Sequence, residues 1–402
     1  LARERVRNRR PRTMIGIRIA GTISKTSPIS LTGTGCTRPH QPWGDRRARL
    51  AGSCRGRSRP HWLRLDWLRL DRITLARRLR GILSQGSGTH AVEHHGHGKG
   101  PKANPTLADG RLFTLSITGV LTAWDADTGA MLWRVDHRSK FGKRPHPYWG
   151  ATTSPLVVDN RVYLHFGDDE KGFLSAMDVE TGREIWRNGK DGAAYSSPLY
   201  AEIEGVRQIV EWNHEDLLGV ELETGRTLWK YHLPHRGTNQ NMPTPSIHDG
   251  HILVGGEKRG IRSIHPHLRE NKWAVTEKWH QTRAALNMST AVINDNRLYG
   301  FSHYGLGEMF CIDTTNGKIL WKGPGRTGDN VTFLSIPGHV LALIDDGELQ
   351  VLKADGAETE ILAKYKVADN PTWAAPVLLK DQLLIKDRDS LTLWRFSDTK
   401  KK

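Results

Sequence analysis

Four histidines, His90, His94, His95 and His97, fall in one short stretch and offer imidazole nitrogens of the kind that bind transition metals. The H-H-x-H spacing has no cysteine or carboxylate matched to it in the pattern of a zinc site, so these read as loop residues and no metal is assigned. Asp168, Asp169 and Glu170 stand together beside Lys171 and Gly172, the composition of a solvated hairpin tip. No glycine-rich phosphate loop, Ser-His-Asp arrangement or paired-cysteine spacing occurs. Cys36, Cys54 and Cys311 make no disulfide framework. No catalytic residue is assigned, and the remaining candidates depend on where the repeats place them.

Four segments share one spacing: WDADTGAMLW (124–133), MDVETGREIW (177–186), VELETGRTLW (220–229) and IDTTNGKILW (312–321). An acid (Asp125, Asp178, Glu221 or Asp313) is followed four residues later by Gly129, Gly182, Gly225 or Gly317. Four residues after that comes Trp133, Trp186, Trp229 or Trp321. The acid accepts hydrogen bonds from turn amides and the glycine supplies a positive φ, so each segment predicts a tight hairpin. The tryptophan opens the next strand and offers a broad face to an adjacent unit, a packing role rather than a cofactor platform. Degenerate copies end at Trp279 and near Tyr365. Successive tryptophans lie 53, 43, 50 and 42 residues apart, a period that means a solenoid or a propeller.

Upstream of each hairpin a proline opens a strand and a Gly or Asn turn closes it, as in NPTLADGRLFTL (104–115), SPLVVDNRVYLHF (154–166) and TPSIHDGHILVG (244–255). Unit starts fall at Pro105, Pro155, Pro198, Pro245, Ala291, Leu334 and Pro376. Seven such four-stranded antiparallel units predict an all-β fold, a β-propeller over residues 91–398. The last unit lacks a final strand, which an N-terminal strand should supply.

In a propeller the residues before each unit start ring one mouth of the central channel. There the chain carries Lys102, Tyr195, Asn241, Asn287, Asp329, Asn330 and Trp373, with Trp149 in the insertion HRSKFGKRPHPYW (137–149). These vary between units while the frame repeats, as a binding mouth requires. The alternative is that they plug the channel.

Charge divides the chain near residue 90. Residues 1–90 hold twenty Arg and one Lys against four acids, whereas the remainder carries 38 basic and 39 acidic side chains. The Arg-rich segment follows no secondary-structure period and reads as a disordered extension or a gene read in the wrong frame. A basic arm for nucleic acid is the weaker reading, and no nucleic-acid partner is assigned. No run of about 18 apolar residues occurs, so no transmembrane segment is expected.

The motif A-x-D-x-x-T-G-x-x-x-W, present as AWDADTGAMLW and AMDVETGREIW, resembles the pyrroloquinoline-quinone (PQQ) repeat. The chain from 92 to about 397 is similar to the quinoprotein-alcohol-dehydrogenase-like superfamily, in its non-dehydrogenase branch. The resemblance implies an eight-bladed parent, with one blade missing here. Its dehydrogenases hold PQQ between a Trp and a vicinal disulfide over calcium, and this sequence has no Cys-Cys pair. Trp149, Tyr195 or Trp373 could supply one stacking face and Lys102 one cation, with Asn241, Asn287, Asn330 and Asp329 as a calcium set. No cofactor is assigned. The resemblance implies a non-catalytic module that binds a ligand or a protein in the bacterial periplasm or outside the cell. A PQQ-dependent oxidoreductase and an outer-membrane-assembly scaffold are the alternatives.

Overall fold

A computed structural model describes residues 68–74, 102–237, 241–356 and 358–398. The histidines at 90–97, and Cys36 and Cys54, lie outside the described residues. Seven four-stranded antiparallel sheets form a seven-bladed β-propeller. Blades 1 to 6 span residues 106–136, 156–188, 199–232, 246–281, 292–322 and 331–366. Blade 7 comprises Val377–Leu379, Gln382–Lys386 and Leu391–Asp398, and its fourth strand is Leu68–Thr74, antiparallel to Leu391–Asp398. The strand that completes this blade therefore comes from inside the Arg-rich segment, outside the 91–398 span assigned to the propeller. Among the described residues the helical structure is two single 3-10 turns, Arg138–Lys140 and Tyr304–Leu306.

Blade order follows from burial. First strands of three residues, such as Thr106–Ala108, are half-buried, whereas third strands such as Val120–Asp125 are buried almost throughout because blades cover both faces. Fourth strands such as Met131–Asp136 alternate outward and inward. Six apolar clusters fill the junctions from blades 1–2 through 6–7. Phe113 and Leu121 meet Val162 and Leu164 at the first junction, and Leu341 and Leu343 meet Leu383 and Ile385 at the last.

The repeated hairpins form as their residue types dictate. Asp125 Oδ1 accepts from Thr128 N at 2.7 Å and Thr128 Oγ1 at 2.6 Å, and Gly129 turns the chain at φ 74°. Those bonds hold the Asp125 carboxyl below the usual carboxylate range. A β-bulge sits just before the acid in each copy, for example between Ala123 and Trp124 and between Ala176 and Met177.

Three of these hairpins receive the tryptophan of the blade before them. Trp133 Nε1 donates to Val179 O at 3.1 Å, Trp186 Nε1 to Leu222 O at 3.1 Å and Trp279 Nε1 to Thr314 O at 2.9 Å. The rings lie so close over Gly182, Gly225 and Gly317 that a Cβ on any of these would come within 2.7 Å of ring carbon. Blade 4 breaks the pattern. Its third and fourth strands, Gly260–Arg269 and Lys272–Gln281, run ten residues each and join through Glu270 and Asn271, both at positive φ. With no D-x-x-T-G hairpin to meet, Trp229 Nε1 turns to Gln208 Oε1 in its own blade at 2.7 Å.

One unit start differs from the sequence expectation. Blade 6 begins at Val331, which is fully buried in the strand Val331–Ile336, not at Leu334. This unit lacks the proline that marks most of the others, so its register has no local signal.

Candidate functional site

In an antiparallel four-stranded blade, the incoming connector and the hairpin between second and third strands share one face of the propeller. That face carries the mouth residues. The structure joins four of them in series. Lys102 Nζ donates to Trp149 O at 3.0 Å, Trp149 N to Tyr195 OH at 2.9 Å, and Tyr195 N to Asn241 O at 3.1 Å. Burial lowers the Lys102 ammonium and raises the Tyr195 phenol from their ordinary values. The insertion 137–149 is held by Asp169, which pairs with Arg144 at 2.5 Å and accepts from Tyr148 N at 3.0 Å. Asp169 is thus an anchor of this loop, not a freely solvated acid.

The other half of the ring is not drawn together. Asn241 is fully buried, with Nδ2 donating to Asn213 O at 2.6 Å and Oδ1 accepting from Arg259 Nη1 at 2.6 Å. Asn330 is buried as well, and its Oδ1 accepts from Ser289 Oγ at 2.5 Å. Asn287 is half-buried, Asp329 is exposed and binds back through its own N–H to Asp345 Oδ1 at 3.1 Å, and Trp373 is exposed. The amide oxygens of Asn241 and Asn330 are therefore engaged by protein donors. Cys311 is fully buried beside Tyr299, and burial pushes its thiol up to about 12.

A hydroxyl ring beneath the mouth escaped the sequence reading. Asn104 N donates to Ser154 Oγ at 3.0 Å, Ser154 N to Ser197 Oγ at 2.9 Å, Ser197 N to Thr244 Oγ1 at 3.2 Å, and Thr244 N to Thr290 Oγ1 at 3.1 Å. Each acceptor belongs to the next blade, so the ring satisfies first-strand amides and fixes blade spacing. The available signal was the hydroxyl residue before three of the starting prolines.

Among the described residues one donor set has metal-type composition: His214, Glu215 and His235, whose ligand atoms lie within 4.8 Å of one another. The two imidazoles stack at 3.5 Å between centroids with 11° between planes. An ion between parallel rings would sit out of both ring planes, where their lone pairs do not point, so this is a stacked pair and not a formed metal centre.

The mouth face also exposes large apolar side chains: Tyr148 at 44%, Met288 at 39%, Leu306 at 66% and Trp373 at 43%. They lie on connectors and on one second-to-third-strand hairpin, the segments that vary between blades.

Residues 81–323 match the sequence profile of the PQQ_2 family, described as outer membrane protein assembly factor BamB. The chain belongs to that family. BamB of Yersinia pestis is 23% identical over 297 residues, covering 71% of this chain and 72% of its own. A polyvinylalcohol dehydrogenase of Sphingopyxis is 29% identical over 245 residues, 56% of this chain but 34% of that enzyme. The solved structure of BamB from Moraxella catarrhalis superposes with a TM-score of 0.55 at 14% identity, over 74% of this chain and 84% of that one, which bears on fold alone. Among the described residues, no helix of this BamB-family chain is long and apolar enough to cross a membrane.

Proposed function

We propose that this protein is a non-catalytic propeller scaffold that holds another protein against its mouth face during assembly of outer-membrane proteins in the bacterial periplasm. The observation that carries the reading is the group of exposed residues Tyr148, Met288, Leu306 and Trp373 on that face. Aromatic and Met side chains are enriched where proteins associate, and a rigid frame presenting variable loops suits a docking platform. The BamB-family membership supports the same direction. The engaged oxygens of Asn241 and Asn330 and the buried lone Cys311 support a reading without PQQ.

The test is affinity purification of the full chain from a bacterial envelope fraction, comparing wild type with Leu306→Asp/Trp373→Asp. Both substitutions fall on exposed side chains, so the variant should fold. The reading requires recovery of outer-membrane assembly proteins with the wild type and their loss with the variant. Equal recovery from both would refute it. In parallel, PQQ with calcium should leave the melting curve unmoved. A saturable upward shift would favour the oxidoreductase reading, which the dehydrogenase relative keeps in view.

A further inference from the structure

A cavity of about 290 Å³ opens on the mouth face between blades 3 and 4. It is lined by Arg236, Lys258, Arg259, Arg262, His280 and neighbours, and no carboxylate lines it. Three acids stand behind this lining: Glu277 pairs with Arg262 Nε at 3.1 Å, Glu257 lies 3.7 Å from Lys258 Nζ, and Asp216 Oδ1 lies 3.1 Å from His232 Nδ1. Four fixed cations against these three acids leave a small local excess of positive charge.

Arg259 is the anomalous member. Its side chain is buried, with one face over the Trp212 ring at 5.0 Å. Nη1 donates to Asn241 Oδ1 at 2.6 Å and Pro234 O at 2.9 Å, which ties the blade 4 hairpin to the incoming connector. Nε and Nη2 are buried without a partner. A guanidinium has five N–H donors, so three of the five have no protein acceptor on a buried cation, an arrangement that calls for a water or an anion nearby. Burial, with Arg236 and Arg262 nearby, pushes this guanidinium down to about 10, which leaves it charged at neutral pH. The Nε and Nη2 edge packs on Gly256, where a Cβ would come within 2.1 Å of Arg259 Nη2, so only a glycine leaves space for this side chain.

We propose that this cavity is a binding site for a phosphate dianion or a small phosphomonoester, with Arg259 as its buried anchor and Arg236 and Lys258 as its outer cations. The Arg236, Lys258 and Arg262 side chains that line the cavity offer charge-assisted hydrogen bonds to phosphate oxygens, and several cations match a double negative charge better than a single carboxylate does. The volume accommodates a phosphate with a small attached group. The inference does not depend on the docking role proposed above.

The experiment is calorimetric titration of the full chain with inorganic phosphate at fixed ionic strength, with sodium chloride as the control. Saturable binding is expected in phosphate and none in chloride. Arg236→Glu and Lys258→Glu, both on exposed side chains, should each weaken it at least tenfold, and Arg259→Gln should abolish it. Should Arg259→Gln fail to fold, the two surface variants decide the matter. A second arm measures co-sedimentation with vesicles containing phosphatidic acid, a lipid phosphomonoester. Vesicle binding that phosphate competes away makes a lipid headgroup the natural source of the group, whereas absence of vesicle binding alongside phosphate binding points to a soluble ligand. The proposal is overturned by the absence of saturable phosphate binding, or by affinity unchanged in Arg236→Glu and Lys258→Glu.

Discussion

Gly182→Ala and Gly110→Ala form a matched pair that isolates the contact between blades. Both glycines hold left-handed backbone, at φ 69° and 74°. Alanine in that conformation costs about 1–2 kcal/mol at either position. Both substitutions also stiffen the unfolded chain, which returns about 0.4–1 kcal/mol. The two differ in what the new methyl meets. At Gly110 nothing lies within 4 Å, whereas at Gly182 it would stand 2.7 Å from Trp133 Cε3 and 2.8 Å from Cδ2. The ring cannot simply slide away, because Nε1 is bonded to Val179 O at 3.1 Å and the ring packs on Phe113 at 5.8 Å. Overpacking of this kind costs about 1–3 kcal/mol, so Gly182→Ala should lose that much more stability than Gly110→Ala. Urea denaturation followed by tryptophan fluorescence reads the difference as a lower midpoint. The extra loss should also shrink when Trp133 is already Leu, with a coupling of about 0.5–3 kcal/mol. Equal midpoints for the two alanine variants, or an extra cost that persists in the Trp133→Leu background, would refute the assignment of Gly182 as the seat of the ring.

Glu211→Ala should cost about 1–3 kcal/mol by thermal or urea melting, because it removes the partner of His165 Nδ1 in a pair whose side chains are 4% and 5% exposed, while His165 Nε2 keeps its contact with Asp191 O. A loss below 1 kcal/mol would mean that water replaces the carboxylate. Burial holds the imidazoles of His137, His265 and His303 below their ordinary value, and His251, Lys278 and His267 further disfavour charge on His265. The folded state therefore prefers them neutral, so their contribution is complete above about pH 6.5 and is lost as pH falls through their lowered values. A melting midpoint that stays level from pH 7 to 5 would contradict this. Trp133→Ala should destabilise by about 3–5 kcal/mol, whereas Trp373→Ala, on a side chain 43% exposed, should change stability by under about 1 kcal/mol. Equal losses would place both tryptophans in the frame.

The mouth residues show where reading from sequence reaches its limit. Lys102, Tyr195 and Asn241 were placed on one rim by counting back from the prolines and Trp149 by its place in the insertion 137–149, and the structure links the four in chain order. Their state was not legible. Asn241 looks like a free amide in sequence but is buried, with its oxygen occupied by Arg259 from eighteen residues on in the next blade. Arg259 itself has no marker in sequence, because what sets it apart is burial and two nitrogens without partners.

By itself the sequence determined whatever depends on neighbours along the chain. The D-x-x-T-G turns, the proline-opened strands, the period near 47 residues and hence the propeller all follow from local backbone preferences that recur along the chain. Only the tertiary structure decided what depends on blades meeting one another. It placed the start of blade 6 at Val331, where no proline marks the register. It closed blade 7 with Leu68–Thr74, a strand more than three hundred residues away from its partner. It also turned Trp229 back to Gln208, because the facing blade has a long β-ribbon in place of a hairpin. The physical reason is the same in each case: strand pairing and ring contacts across a junction are set by the shape of the surface opposite, and that shape is not written in the residues on this side of it.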